Sequence, residues 1–382
     1  MIIIFASIVS LVLALLHVVV YKVIVSIFTL SLSWKVAIGV CLAVLGLSFI
    51  TASVLTFYFD NGFTHVFYTI SASWLGYVTY LFLFSCLYAL VVLIIRTIGV
   101  NQFSIESSST LFGIICLISA IVMGTYGLVH ARVIYIKNIT TSLMLSRDLS
   151  QSSYVSKFPA IWHDRKAVWV SDIHLGAVHG QSFAKEIVSK INEINPDIVF
   201  IGGDLFDGVT VNENEVVKPF ADLHPVLGTY FITGNHEEFR DDGPYLQAVK
   251  NVGMRVLNDE MVVVDGMQII GVDDRDSTNP VKFQSILAGL NIDKGEPSIL
   301  LKHQPSGLDI AAKAGISLQI SGHTHRAQIW PLNIFPHLIF KGYEYGLNKY
   351  DDMQVYTSSG VGTWGPPMRV GSDSEIVVLE FK

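Results

Sequence analysis

Only five charged side chains, Lys22, Lys35, Asp60, Arg96 and Glu106, occur in the first 131 residues of this 382-residue chain. A segment so poor in charge has too little polar surface to face water on its own. Apolar runs of this length match the hydrocarbon core of a bilayer, roughly 30 Å thick, which about 20 helical residues cross. Four spans are expected, at residues 2–20, 36–58, 70–95 and 111–131, separated by short segments that carry the few charges and by polar runs such as Ser107-Ser108-Ser109-Thr110. Nothing basic precedes Lys22 and no clean small-residue cleavage site follows, so the first segment reads as a retained helix rather than a signal peptide. Residues 23–33 are apolar but too short to cross alone, and either lie along the interface or extend the first helix. Lys22, Lys35 and Arg96 against Arg132 and Lys137 are too evenly matched to orient the bundle by its basic loops.

The remainder of the chain has a different character. Of 25 basic and 32 acidic side chains, three and two fall in the first 131 residues, which leaves 22 and 30 beyond them and a net charge there near −8. Duplex-binding surfaces need a basic patch to displace condensed counterions, so nucleic acid is not an expected partner. The three cysteines, Cys41, Cys86 and Cys116, all lie inside apolar spans and point to no redox or thiolate metal chemistry.

Residues 132–166 turn polar, with Ser152, Ser153 and Pro159 as breakers, and read as a linker that includes a possible first strand at 133–136. From residue 167 onward, short β-rich runs alternate with helical patterns: a strand at 167–170, a helix at 182–194, then a strand at 198–201. Further strands are expected at 229–232, 261–264, 268–271, 299–302, 318–320, 355–358 and 376–381. Such alternation predicts an α/β domain over 167–382.

Five short motifs sit at the ends of these strands: Asp172-Ile173-His174, Gly203-Asp204, Gly234-Asn235-His236-Glu237, His303, and Gly322-His323-Thr324-His325. Singly, each has an ordinary reading: a surface turn for Asp-x-His and Gly-Asp, a structural histidine for His303. Together, in order and at strand ends, they supply oxygen and imidazole donors of the kind that bind Mn, Fe or Zn, with no cysteine competing. Open α/β sheets place their ligands at the C-terminal ends of strands. Glycines before Asp204, Asn235 and His323 would let the backbone turn sharply, so that the next side chain enters a common site.

In these motifs the chain resembles the calcineurin-like metallophosphoesterase family, in particular its membrane-linked bacterial phosphodiesterase-type members, over residues 168–381. The resemblance implies a two-sheet sandwich flanked by helices, here preceded by an all-α transmembrane bundle. It further implies a site for two divalent metal ions (Mn, Fe or Zn). Asp172, His174 and His325 would hold the first ion, Asn235, His303 and His323 the second, and Asp204 would bridge them. His236 would be free to protonate the leaving oxygen or steady charge on the phosphoryl group, and Glu237 would be a supporting carboxylate that orients ligand imidazoles. Many relatives continue the last motif with Gly-Gly-Gln, whereas this chain reads Arg326-Ala327-Gln328. Arg326 is either a bidentate phosphate ligand or a solvated side chain.

The run from Ile329 to Phe340, with Trp330, Ile334, Phe335, Leu338 and Ile339, is either a buried loop or a lip that meets the membrane or an acyl chain. The expected activity is hydrolysis of a phosphodiester or pyrophosphate by an integral membrane enzyme, with a lipid head group among the candidate substrates. Alternatives are a phosphomonoesterase, a cyclic-nucleotide phosphodiesterase, or a catalytically silent receptor that binds a phosphorylated partner. A transporter is disfavoured, because the spans hold almost no ionisable residue to line an ion path.

Overall fold

The computed structural model describes residues 2–98, 102–141, 160–163, 165–239 and 241–381. The breakers Ser152, Ser153 and Pro159 lie outside them. Two compact units emerge: Met1–His130 with Gly365–Val370, and Ala131–Trp364 with Gly371–Lys382.

The first unit consists of α1 (Ile2–Ile27), α2 (Leu32–Tyr58), α3 (Gly62–Ile98) and α4 (Gln102–His130). Each of these helices contains a stretch long and apolar enough to cross a membrane. Helix α1 continues to Ile27, so the apolar residues after Lys22 extend it. The run Ser107–Thr110 lies within α4 rather than in a connecting segment. Within a continuous helical ladder, serine and threonine hydroxyls bond back to carbonyls one turn earlier, as at Ser53, Thr56, Thr69 and Ser73. Large apolar side chains such as Leu47, Leu93 and Ile118 point outward, while Ser71, Ser85, Thr56 and Thr64 are buried, the reverse of a water-soluble bundle. Small residues permit close helix approach: a Cβ at Gly113 would run into Ile27 and Tyr88. Segment 365–370 belongs to this unit, with Met368 against Gly76 and the Arg369 N–H donating to the Gly127 carbonyl at 3.0 Å.

The second unit holds twelve strands among the described residues: β1 (Ile134–Thr141), β2 (Lys166–Val170), β3 (Ile198–Ile201), β4 (Thr229–Phe231), β5 (Arg255–Val256), β6 (Glu260–Val264), β7 (Met267–Gly271), β8 (Ser298–Leu301), β9 (Leu318–Ser321), β10 (Gly346–Tyr350), β11 (Met353–Thr357) and β12 (Ser374–Phe381). Its helices are α5 (Gln181–Ile194), α6 (Glu213–Val217), α7 (Gly243–Asn251), α8 (Asp274–Ser277), α9 (Pro280–Gly289), α10 (Leu308–Ala314) and α11 (Ile334–Ile339). The strands form two six-stranded mixed sheets, ordered β1-β12-β2-β3-β4-β5 and β10-β11-β9-β8-β7-β6. Within them β2, β3, β4 and β5 run parallel, as do β11, β9, β8 and β7.

Side-chain alternation builds the layers. Successive residues of a strand face opposite sides, so Ala167 and Trp169 of β2 join Ile198 and Phe200 of β3, Ile320 of β9 and Tyr356 of β11 in the core between the sheets. Their neighbours Val168, Val170, Val199 and Ile201 pack outward against α5 and α7. Helix α5 presents Ala184, Ile187, Val188 and Ile191 to that layer at helical spacing and ends at Asn195 in the left-handed region. On the far side, Ile270, Leu300 and Val355 meet Phe283 and Leu287 of α9 and Ala311 of α10. The result is the expected sandwich with helices on both outer faces. Strand β1 pairs in parallel with β12 at the edge of the first sheet, and β5 and β10 are strands that the sequence pattern does not mark.

Candidate metal centre

Loops at the C-terminal ends of five parallel strands carry the motifs. Asp172 and His174 follow β2, Asp204 follows β3, Asn235 and His236 follow β4, His303 follows β8, and His323 and His325 follow β9. Backbone bonds carry the strand ladders onward into these loops: the Asp172 N–H donates to the Gly203 carbonyl (3.0 Å), His174 N–H to the Asp204 carbonyl (3.0 Å) and Gly322 N–H to the His303 carbonyl (2.8 Å). Asp172, His174, Asp204, His323 and His325 all have positive φ, between 47° and 70°. Non-glycine residues there cost about 1–3 kcal/mol each, a strain typical of functional sites. Of the three motif glycines only Gly203 has a positive φ. At Gly234 and Gly322 the requirement is space, because a Cβ would collide with Asp204 or with Ser171 and Asp172.

Two groups of donors converge. Asp172, His174 and His325 bring one ligand atom each within 4.8 Å of one another, as do Asp204, His303 and His323. The Nε2 atoms of His174 and His325 lie 3.0 Å apart, and the rings are stacked. The Asp204 Oδ2 stands 3.2 Å from His303 Nε2 and 3.8 Å from His174 Nε2, so a single carboxylate reaches a member of each group. Its other oxygen accepts the His236 N–H at 2.9 Å. The Asn235 Oδ1 is enclosed without a hydrogen-bond partner, which suits a ligand oxygen better than a structural amide.

The protonation pattern follows from burial and neighbours. Burial drives His323 down to about 3, so its imidazole is neutral. At His303 burial also favours the neutral ring, but the Asp204 carboxylate outweighs it and holds the pKa well above the ordinary value. Burial pushes the Asp204 carboxyl up, yet the His303 and His236 charges prevail and keep it well below the carboxylate range. These donors fit divalent cations. Neutral and anionic ligands enclose the point where their lone pairs meet, and a cation would take the place of the proton that Asp204 now holds on His303.

The structure also shows the surroundings of the ligands. His236 packs edge-on to His174 with centroids 4.6 Å apart, and its Nδ1 lies 3.1 Å from the Asp207 carbonyl, which orients Nε2 the other way. The Asp207 carboxylate, raised by burial to about 7, sits 3.3 Å from His174 Nδ1 and supports that ring. His174, Asp207 and His236 form a third cluster of donors within 4.8 Å. Asp207 was not among the residues expected from sequence; its signal is its place three residues after Asp204.

Glu237 does not orient an imidazole. Its carboxylate accepts the N–H groups of Asp204 (2.9 Å), Phe206 (2.9 Å) and Gly234 (2.7 Å), and so clamps two motif loops by their backbones. Arg326 lies in a run of four positive-φ residues, 325–328, with its guanidinium 4.5 Å from the Tyr345 ring. Gln328 closes that turn by bonding the backbone N–H and carbonyl of Trp364. Trp364 and Phe239 wall the His236 ring, with centroids 5.5 and 4.4 Å away.

Comparison with known proteins places these motifs in context. Residues 165–327 match the family model described as calcineurin-like phosphoesterase. The chain is 32% identical over 318 residues to a transmembrane protein with metallophosphoesterase domain from Danio rerio, covering 79% of this chain and 70% of that one. A protein of the same description from Bos taurus is 33% identical over 244 residues, covering 59% of this chain and 54% of the relative. An uncharacterized metallophosphoesterase from Helicobacter pylori is 33% identical over 220 residues, 56% of this chain and 59% of its own length. The chain thus spans between about half and 70% of these relatives.

Proposed function

The chain belongs to the calcineurin-like metallophosphoesterase family, an integral membrane member of it, and from that premise we propose that it hydrolyses a phosphodiester or pyrophosphate bond with two divalent cations, in a substrate carried at the membrane. Asp172, His174 and His325 hold one cation in this reading, Asn235, His303 and His323 the other, and Asp204 joins them. The observation that supports it best is the position of the Asp204 carboxylate between His303 and His174. Two cations bound there would acidify a water and draw negative charge off the phosphoryl oxygens.

The side chains do the rest. His236, anchored through Nδ1 to the Asp207 carbonyl, would use the opposite nitrogen, Nε2, to protonate the leaving oxygen. Phe239 and Trp364 pack beside that ring, at 4.4 and 5.5 Å between centroids, and limit the positions it can take. Of the basic residues next to the ligands, Lys302 lies over Phe283 and donates to Ser306, while Arg326 lies over Tyr345 with no acceptor for its guanidinium N–H groups among the described residues, and so is able to meet a phosphoryl oxygen. We take a diester as the leading substrate class and a monoester as the alternative, which hydrolysis of model esters separates.

The test is hydrolysis of bis-p-nitrophenyl phosphate and p-nitrophenyl phosphate by the purified full chain after chelation and readdition of Mn, Fe or Zn. Diester turnover should vanish on chelation, return with metal, and exceed monoester turnover in kcat/KM by about tenfold or more, 1.4 kcal/mol of transition-state preference. Two bound cations per chain with neither ester cleaved would point to the silent receptor, and a preference for the monoester would overturn the diester reading.

Cation affinity should also depend on pH with a set sign. His303, held well above its ordinary pKa, must lose its proton before Nε2 can bind a cation, whereas His323, held near 3, is already neutral. Affinity should therefore rise with pH, about tenfold per unit while one proton is displaced. Calorimetric titration at pH 6, 7 and 8, in buffers of different ionisation enthalpy, would count the proton; an affinity flat with pH would remove His303 from the ligand set.

A further inference from the structure

We propose that α11, with Trp330 at its approach, enters the head-group region of the bilayer and holds the lipid end of the substrate beside the metal centre. The second half of this statement rests on the membrane-substrate reading above; the first does not. None of the six residues of α11 is buried. Trp330 and Ile334 are 56% exposed, Phe335 59%, Leu338 68% and Ile339 69%. Helices on a soluble surface turn their apolar side chains inward, and a run of large apolar groups facing outward marks an interaction surface.

Position connects this surface to the chemistry. Phe340, the residue that ends α11, stands edge-on to the His323 ring with centroids 6.0 Å apart. The apolar run therefore ends against a candidate metal ligand. Four spans make the chain an integral membrane protein, and only Ala131, Arg132 and Val133 separate the end of α4 from β1. Three extended residues reach about 10 Å, so the catalytic domain works at a bilayer surface, and a bilayer is the apolar phase within reach. A tryptophan at the edge and His337 on α11, whose Nδ1 lies 2.9 Å from Glu344 Oε1, match the mixed character of interfacial segments. Because the domain is acidic and its sequence has no polybasic run, insertion is driven by the apolar side chains and should not be strengthened by anionic lipid.

The experiment uses the full chain with Cys41, Cys86 and Cys116 replaced by alanine and one cysteine introduced by Leu338→Cys or, as a control on α9, Val281→Cys. Each protein is labelled with an environment-sensitive fluorophore and reconstituted in phosphatidylcholine nanodiscs with plain or brominated acyl chains. The Leu338 label should show blue-shifted emission and be quenched about twofold by the brominated lipid, while the Val281 label stays water-like. Water-like emission at Leu338, or a blue shift without bromolipid quenching, would overturn the docking; the latter would mean that a second copy or another protein covers α11.

A second arm compares Leu338→Glu combined with Ile339→Glu on two esters of the same chromophore. Hydrolysis of p-nitrophenyl phosphatidate in the nanodisc should fall by about tenfold or more while that of bis-p-nitrophenyl phosphate is unchanged. Equal rates on the lipid ester would overturn the substrate half while docking stands. The label needs no turnover, so a failure of the hydrolase reading would appear in the ester assays and leave the docking result to be read independently.

Discussion

Asp204→Asn is expected to lower kcat/KM for a diester by about 10⁴-fold, or about 5.5 kcal/mol of transition-state stabilisation, and to cost the protein at least one bound cation, without unfolding it. The carboxylate is buried and faces imidazoles on both sides, at 3.2 Å from His303 and 3.8 Å from His174. An amide of the same shape removes the negative charge that two cations would share, while its carbonyl oxygen can still accept the His236 N–H now held at 2.9 Å. Fold and metal binding are thereby separated. Metal content by elemental analysis, a thermal melt and diester kinetics on one preparation decide the matter: two cations and unimpaired turnover in the variant would remove Asp204 from the bridge.

The places where sequence reasoning succeeds and stops have physical causes. Donor types at strand ends are legible because a strand's C-terminus, a breaker and a polar side chain are all local signals; Asp172, Asp204 and His303 are found that way. Dihedrals are not local in the same sense. That Asp172, His174 and Asp204 sit at positive φ follows from the neighbouring loops that bond them, as when the Gly203 carbonyl takes the Asp172 N–H. Glu237 illustrates a second limit. Its residue type announces a supporting carboxylate, but only the packing of β3 and β4 reveals that its partners are backbone amides.

Length and exposure set further limits. Strand β5 has two residues, too few for a period, and β10 alternates between exposed and half-exposed positions with few apolar residues to betray it. Ser107–Thr110 reads as a break because serine and threonine favour turns in water, yet it continues a helix in α4. The run from Ile329 to Phe340 has a composition that fits burial equally well; the exposure of α11 is what sets it apart. Trp364 lies far along the chain from His236 and has no motif of its own, so its place against that ring emerges only from the fold.

His236→Ala should separate substrates by leaving group. A positioned acid typically supplies 10²–10⁴-fold when the leaving oxygen is strongly basic, and roughly that loss is expected for an alkyl diester. p-Nitrophenolate, whose conjugate acid has a pKa of about 7, departs with little help, so the loss on bis-p-nitrophenyl phosphate should stay below about tenfold. Burial pulls the His236 pKa below its ordinary value, with Asp204 and Asp207 opposing that pull. Only the protonated ring can donate, so the wild-type rate on the alkyl ester should fall as pH rises through that pKa. This basic limb should be absent from the alanine variant. Equal losses on both esters, with the limb intact, would mean that the protonated ring steadies phosphoryl charge through Nε2–H instead of delivering its proton; the anchoring of Nδ1 on the Asp207 carbonyl would then serve to aim that N–H at the phosphoryl oxygen.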